Sequence, residues 1–268
     1  MNKVVGFIGN GNMGSAMIHG IMKAKLLKAE QLYVSAAHEE SLQEVKQLYG
    51  VHATCDNVEV AKASDILVLA VKPYQYETVI EEIKDAVKKE VIIVNIAAGK
   101  SIEHINQMFG REMKVVKAMP NTPAFVGEAM SALAYSEHIT PEELEYVVSL
   151  FQSFGKVEIV AEGLMDAVTA VSGSSPAYVF MFIEAMADGA VALGMPRKQA
   201  YTFAGQAVLG AAKMLLESNQ HPGELKDAVC SPQGTTISAV QKLEECGFRS
   251  SVMQAMLACA DKSKEMQK

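Results

Sequence analysis

Val4-Val5-Gly6-Phe7-Ile8-Gly9-Asn10-Gly11-Asn12-Met13-Gly14 is the stretch on which the fold turns. Residues 4–8 form an apolar run of strand length, and the glycines follow at once, ahead of helix-like spacing over residues 15–23. Each glycine answers a separate steric demand. Gly9 permits a tight strand-to-helix turn, Gly11 lets the backbone approach a pyrophosphate without an intervening Cβ, and Gly14 lets the helix pack closely on the strand. Unpaired N–H groups at the helix start, with the positive end of its dipole, then face the phosphates. Gly and Asn also make ordinary turns; the strand before and the helix after favour a dinucleotide fingerprint carried by Gly9, Asn10, Gly11, Asn12, Met13 and Gly14.

Outward from this motif, short runs rich in Val, Ile and Leu alternate with segments of helical periodicity. Candidate strands cover residues 4–8, 31–34, 66–70, 91–96, 114–118, 131–134 and 157–159. The runs at 66 and 91 are apolar on both faces, as buried central strands of a parallel sheet are. The pattern is that of an α/β, Rossmann-type doubly wound, mostly parallel sheet. After Glu162 the strand signal stops, and Ala, Met, Leu and Gln recur at helical spacing to the end. The expected division is a dinucleotide-binding domain over 1–162 and an all-α domain over 163–268, to which the family resemblance given below assigns dimerisation and substrate binding. Within the second, Pro176 suits the first turn of a long helix that Gly194 and Pro196 end. Tyr178, Val179, Phe180, Met181, Phe182, Ile183 and Met186 leave that helix almost no polar face, which suits burial, either within one helical bundle or between subunits.

Composition bounds the function. The chain has 268 residues, half of them hydrophobic, so it is neither disordered nor fibrous. A net charge of −7, from 24 Lys+Arg against 31 Asp+Glu, is the opposite of a nucleic-acid footprint. The apolar stretches are cut by Glu184 and Asp188 well before the roughly 20 residues of a membrane span. No apolar signal core or small-residue cleavage pattern precedes residue 4, so a cytoplasmic protein is expected. Cys55, Cys230, Cys246 and Cys259 are scattered without metal-ligand or disulfide spacing, and no metal is expected.

The second strand ends at Ser35, about where an NAD site carries an Asp or Glu for the ribose 2′-OH. With Ser35, Ala36, Ala37 and His38 there instead, nothing repels a 2′-phosphate, and the Ser35 hydroxyl and His38 are placed to contact one, so NADPH is favoured, with NADH the alternative. Ala70-Val71-Lys72-Pro73, Asn57 upstream, and Ala97-Ala98 lie at or near strand ends that face the ligand crevice, and are assigned to the cofactor site. Lys72 as a catalytic group is outweighed by Lys72 as a snorkelling rim residue. Glu184 and Asp188, four apart, read as a hydrated stripe rather than an acid pair. His19, His52, His104 and His138 show no partnering spacing.

The string Val171-Ser172-Gly173-Ser174-Ser175-Pro176-Ala177-Tyr178, continuing through residues 184–196, is dense and unusual. Together with residues 7–14, Ala70-Val71-Lys72-Pro73, Met119-Pro120-Asn121-Thr122-Pro123 and the segment from His221-Pro222-Gly223 to Thr236, it closely resembles the pyrroline-5-carboxylate reductase family over essentially the whole chain. The resemblance implies hydride transfer from a reduced nicotinamide to the C=N carbon of 1-pyrroline-5-carboxylate, giving L-proline, and adds Asn121 to the cofactor residues. It also implies a homodimer of interleaved helical domains, in some members built further into decamers. The active site would lie where a cofactor crevice meets a helical domain, its own or the partner's.

An imine accepts hydride more readily when its nitrogen is protonated or hydrogen-bonded, and the substrate carboxylate must be oriented. The turn Ser231, Pro232, Gln233, Gly234, Thr235 and Thr236 runs into a helical segment over 237–245 and offers free N–H groups to that carboxylate. Ser231 or Thr235 could instead simply cap the helix. Thr236 matches the threonine that the family places at the ring nitrogen; a Thr hydroxyl orients and polarises, or relays a proton from water. Asn219 stands where relatives often carry an acidic residue, which argues against a general acid in this loop. Two alternatives remain open at this point: a 3-hydroxyacid dehydrogenase of the 6-phosphogluconate type, whose helix lysine has no counterpart before Lys198, and a non-catalytic NADP-sensing module.

Overall fold

The computed structural model describes residues 3–266. In chain order, β1 (Val5–Ile8), α1 (Asn12–Lys23), β2 (Leu32–Ser35), α2 (Glu40–Tyr49), β3 (His52–Thr54), α3 (Asn57–Ala63) and β4 (Ile66–Leu69) come first. Next are α4 (Tyr76–Ile83), β5 (Ile92–Asn95), α5 (Ile102–Phe109), β6 (Lys114–Met119), β7 (Ala129–Tyr135), α6 (Pro141–Gln152), β8 (Gly155–Ile159) and α7 (Met165–Val168). The remainder is helical: α8 (Ser175–Ala192), α9 (Arg197–Ser218), α10 (Pro222–Ala228), α11 (Thr235–Glu245) and α12 (Phe248–Glu265).

The eight strands form one sheet in the order β3-β2-β1-β4-β5-β6-β7-β8. All pairings are parallel except β6 with β7, which is antiparallel. Alternation of side chains along the strands builds a core on each face. Val5, Phe7, Val34, Ile66, Val68, Ile92 and Val94 pack with Met17, Ile18 and Ile21 of α1 and Phe151 of α6. Leu67, Leu69, Ile93 and Val115 pack with Tyr76, Ile80 and Ile83 of α4 and Ile105 of α5. Strand order reverses between β1 and β4, so a ligand crevice opens where both end.

The sequence reading missed β3, whose three residues are not apolar enough to show a strand pattern. By packing, the chain falls into two compact units. The first runs to Ser174 and takes up the chain again from Cys259, whereas the second spans Ser175–Ala258. The reason is that residues past Glu162, although helical, belong to the sheet's packing. Met165 is buried with Met119, Ala132 and Ala134, and a π-helical turn at Thr169–Gly173 buries Thr169 and Ala170. The Ser263 hydroxyl donates to Asp166 Oδ1 at 2.6 Å, holding the returning end of α12 in the first unit.

Within the second unit, Gly194 at φ 97° ends α8 and Asn219, left-handed at φ 54°, ends α9. A left-handed helix end accepts Asn after Gly as its next choice, so Asn219 has a backbone reason to be there. This unit has almost no core of its own. Ala187, Ala200 and Ala204 are buried, whereas Phe180 and Met181 are 64% and 69% exposed. Among the described residues no helix is long and apolar enough to cross a membrane.

Candidate active site

The glycine turn is shaped as its spacing demands. Gly9 has φ +104°, and a Cβ there would lie 2.7 Å from the carbonyl of Ala70. A Cβ on Gly14 would lie 2.5 Å from the Gly9 oxygen, whereas at Gly11 nothing stands within 4 Å. The first and third glycines thus close the turn on β4 and on itself, and the second leaves open space above. Gly11 is the N-cap of α1 and no side chain caps that end, so its first N–H groups are free for an anion. The Asn10 side chain bonds inward, its amide donating to the Ser41 carbonyl and its Oδ1 accepting from the Ser15 hydroxyl at 2.9 Å.

Above the turn lies a cleft of about 570 Å³. The fingerprint residues Gly9 to Met13 form one wall, Ala70-Val71-Lys72-Pro73 the facing one, and Ala97 and Ala98 line it as well. Ala36, Ala37 and His38, which follow β2, line it too. No carboxylate lines the cleft among the described residues; Lys72, exposed at the rim, and His38 are its only titratable side chains. A dinucleotide phosphate therefore meets no repelling charge there.

Two expected cofactor residues, Ser35 and Asn121, lie beneath this surface, and a third, the half-buried Asn57, stands outside its lining. Ser35 is fully buried, its hydroxyl donated to Asn57 Oδ1 at 2.7 Å. Asn57 in turn donates to Glu82 Oε2 at 2.8 Å. Asn121, 7% exposed, donates to the Ser172 carbonyl at 3.0 Å and accepts the Met130 N–H at 3.0 Å. These side chains brace the cleft. Conversely, Ser41, Gln75, Ile96, Pro120 and Thr122 line it and escaped the sequence reading. Gln75 had a local signal, since its side chain accepts the Lys72 N–H three residues back at 3.1 Å; the others come close only through the fold.

Under the cleft, Tyr76 is buried and donates its hydroxyl to the Leu69 carbonyl at 2.6 Å. Burial pushes that phenol well above its ordinary pKa, so it stays a neutral donor.

In the second unit the other expected site residues share one turn. The Gly234 N–H bonds to the Ser231 carbonyl at 3.0 Å, and Gln233 takes the left-handed region at φ 59°. A Cβ on Gly234 would lie 2.3 Å from Ser231 Oγ. Gly234 is the N-cap of α11 with no side-chain cap, so neither Ser231 nor Thr235 spends its hydroxyl on capping. Thr235 and Thr236 occupy the first turn of α11, their hydroxyls unpaired among the described residues. His221 caps α10 instead, its Nδ1 accepting the Gly223 N–H at 3.1 Å. Asp188 pairs with Arg197 on an exposed surface.

Comparison with known proteins assigns both halves. Residues 162–266 match the family model described as pyrroline-5-carboxylate reductase dimerisation, and residues 4–99 match that of NADP oxidoreductase, coenzyme F420-dependent. The pyrroline-5-carboxylate reductase of Escherichia coli is 46% identical over 268 residues, covering 100% of both chains. The pyrroline carboxylate reductase of Plasmodium falciparum, solved with NADP bound, is 34% identical with a TM-score of 0.91, covering 100% of this chain and 99% of its own. The enzyme from Coxiella burnetii is 33% identical with a TM-score of 0.92, covering 100% of each.

Proposed function

The chain belongs to the pyrroline-5-carboxylate reductase family, and on that premise we infer that it reduces 1-pyrroline-5-carboxylate to L-proline with NADPH. Hydride goes to the C=N carbon and a proton to the nitrogen. The observation that carries this at the level of residues is the cleft itself, a glycine cradle facing a rim with one lysine and no carboxylate. Such a surface suits a phosphate-rich nucleotide over a metabolite cation.

When bound, the reduced nicotinamide supplies the two-electron hydride. The chain's own residues do the rest. Gly9, Asn10, Gly11, Asn12, Met13 and Gly14 hold the pyrophosphate, while Ala70, Val71, Pro73, Ala97 and Ala98 give the nicotinamide half room. Lys72 supplies positive charge at the rim. Ser35, Asn57 and Asn121 keep these surfaces in place from beneath. The open N–H groups of α11, with Ser231, Gln233, Gly234 and Thr235, orient the substrate carboxylate. Thr236 hydrogen-bonds the ring nitrogen and polarises the imine or relays a proton from water. NADH is the weaker alternative cofactor.

The many exposed large apolar side chains on the helices of the second unit, Phe180, Met181 and Phe203 among them, call for a partner. The chain assembles through this dimerisation segment. We place the assembly at a homodimer able to build decamers, and the chain in the cytoplasm.

The deciding experiment follows the loss of nicotinamide absorbance with purified protein and 1-pyrroline-5-carboxylate, in parallel with NADPH and NADH and with Thr236→Ala. Rapid turnover in wild type, faster with NADPH, and a loss of about a hundredfold in the variant are expected. Cofactor binding without turnover would overturn the reading in favour of hydroxyacid substrates or a sensing module.

A further inference from the structure

Lys117 on β6 is 3% exposed and lines neither the cleft nor the Thr236 turn. A buried ammonium is costly without a counter-charge. Its carboxylate partner is Glu162, with Nζ 3.7 Å from Oε1. That same oxygen accepts the Ile102 N–H at 2.8 Å, where α5 begins. Burial holds the lysine below its ordinary pKa, opposed by the carboxylates of Glu162 and Asp166.

The neighbouring strand supplies a matching grip. Asn95 lies opposite Lys117 in the β5–β6 register. Its Oδ1 accepts the Ala97 N–H at 2.9 Å and its Nδ2 donates to the Lys100 carbonyl at 2.9 Å. Residues 96–101 are therefore bridged by Asn95 at Ala97 and Lys100, and the amide that follows them, on Ile102, is held by Glu162 just beyond β8. Ile96, Ala97 and Ala98 of this segment line the cleft.

We propose that Lys117 is a positioning residue for cofactor binding: by holding Glu162 it anchors the exit of the 96–101 loop, and with it one wall of the cleft. The proposal rests on the cleft being the NADPH site. Lys117 touches neither cofactor nor substrate; it acts through Glu162 and the Ile102 amide.

The test uses the full-length purified chain, with NADPH affinity read by fluorescence titration and backbone order at 96–102 read by hydrogen exchange without cofactor. Lys117→Met strands the Glu162 carboxylate; the NADPH dissociation constant is expected to rise about five- to tenfold and exchange at 96–102 to quicken. Glu162→Ala, which removes the acceptor, should do the same. The double variant Lys117→Met/Glu162→Gln keeps an acceptor for Ile102 and removes both charges, and should return both readouts toward wild type. A folded Lys117→Met with wild-type affinity and exchange would overturn the proposal. So would a double variant no better than the single one, since a lysine of merely structural worth gives a stability loss without that rescue. If Lys117→Met fails to fold, Glu162→Ala and the double variant decide by the same readouts. A wild type that binds no NADPH counts against the functional reading, whereas the cofactor-free exchange pattern still tests the anchor.

Discussion

The Ser35 hydroxyl donates to Asn57 Oδ1 across 2.7 Å, tying the end of β2 to the first residue of α3. The polar group at the position where a ribose carboxylate would stand is spent on the frame. What it leaves facing the cleft is Ala36, Ala37 and His38. A phosphorylated ribose is then favoured by what is missing at this end of the cleft, a negative charge among its described lining residues. Ser35→Ala should cost about 1–2 kcal/mol of stability by leaving Asn57 short of a donor, yet keep NADPH preferred over NADH. Urea unfolding and the ratio of kcat/KM for the two cofactors check this. A collapsed preference at unchanged stability would mean that the hydroxyl turns to the phosphate.

The fingerprint glycines should separate by mechanism. Gly9→Ala places a side chain at φ +104° and 2.7 Å from the Ala70 backbone, and is expected to lose about 2–3 kcal/mol of stability along with cofactor binding. Gly11→Ala meets nothing within 4 Å, so it should fold within about 1 kcal/mol of wild type and bind NADPH at least about tenfold more weakly. Thermal melts beside fluorescence titrations distinguish the two.

Gly234→Ala is the matching probe of the second unit. The new methyl would sit 2.3 Å from Ser231 Oγ and 3.0 Å from the Ser231 oxygen, so the Ser231 hydroxyl must swing away and the carbonyl that precedes α11 must give slightly. The KM for 1-pyrroline-5-carboxylate should rise by about tenfold or more, with the NADPH dissociation constant unchanged. A rise in the cofactor constant alone would place the substrate carboxylate elsewhere.

Acid stability should depend on Asp65. Burial pushes this carboxyl up, but Lys88 at 2.7 Å and the Val4 N–H at 2.8 Å outweigh it, leaving its pKa below the ordinary value. A depressed folded pKa gives stability that is fully present above the unfolded value of about 4 and is lost as pH falls through the folded one. Asp65→Asn should therefore be less stable than wild type at neutral pH and lose less on acidification below about pH 4. Urea midpoints at neutral and acid pH test the sign.

Much of the first unit was legible because its signals are local. The glycine triplet sits between β1 and α1, and the doubly apolar runs at Ile66 and Ile92 became central strands. β3 was not, because His52-Ala53-Thr54 is short and partly exposed. The reversed direction of β7 also left no mark, since an apolar strand reads alike in both directions. Strand periodicity ends near Gly163, where the matched helical segment begins, while burial continues through Met165 and Ala170. At the site, backbone roles were readable at Gly9 and Gly14. The burial of Ser35 and Asn121, and the link from Lys117 to Glu162, join residues distant in sequence that only the folded sheet brings together.

The helical unit is inserted in sequence within the first one, since the chain leaves at Ser174 and rejoins from Cys259. During synthesis, which adds about 5–20 residues per second, the sheet can form long before Ser263 exists to reach Asp166. The nascent first unit therefore waits several seconds for the segment whose Ser263 hydroxyl bonds Asp166 and whose Cys259 meets Ser174. A ribosome stalled before Cys259 should display a sheet domain that is folded yet more easily cut by protease between residues 161 and 174 than the released chain.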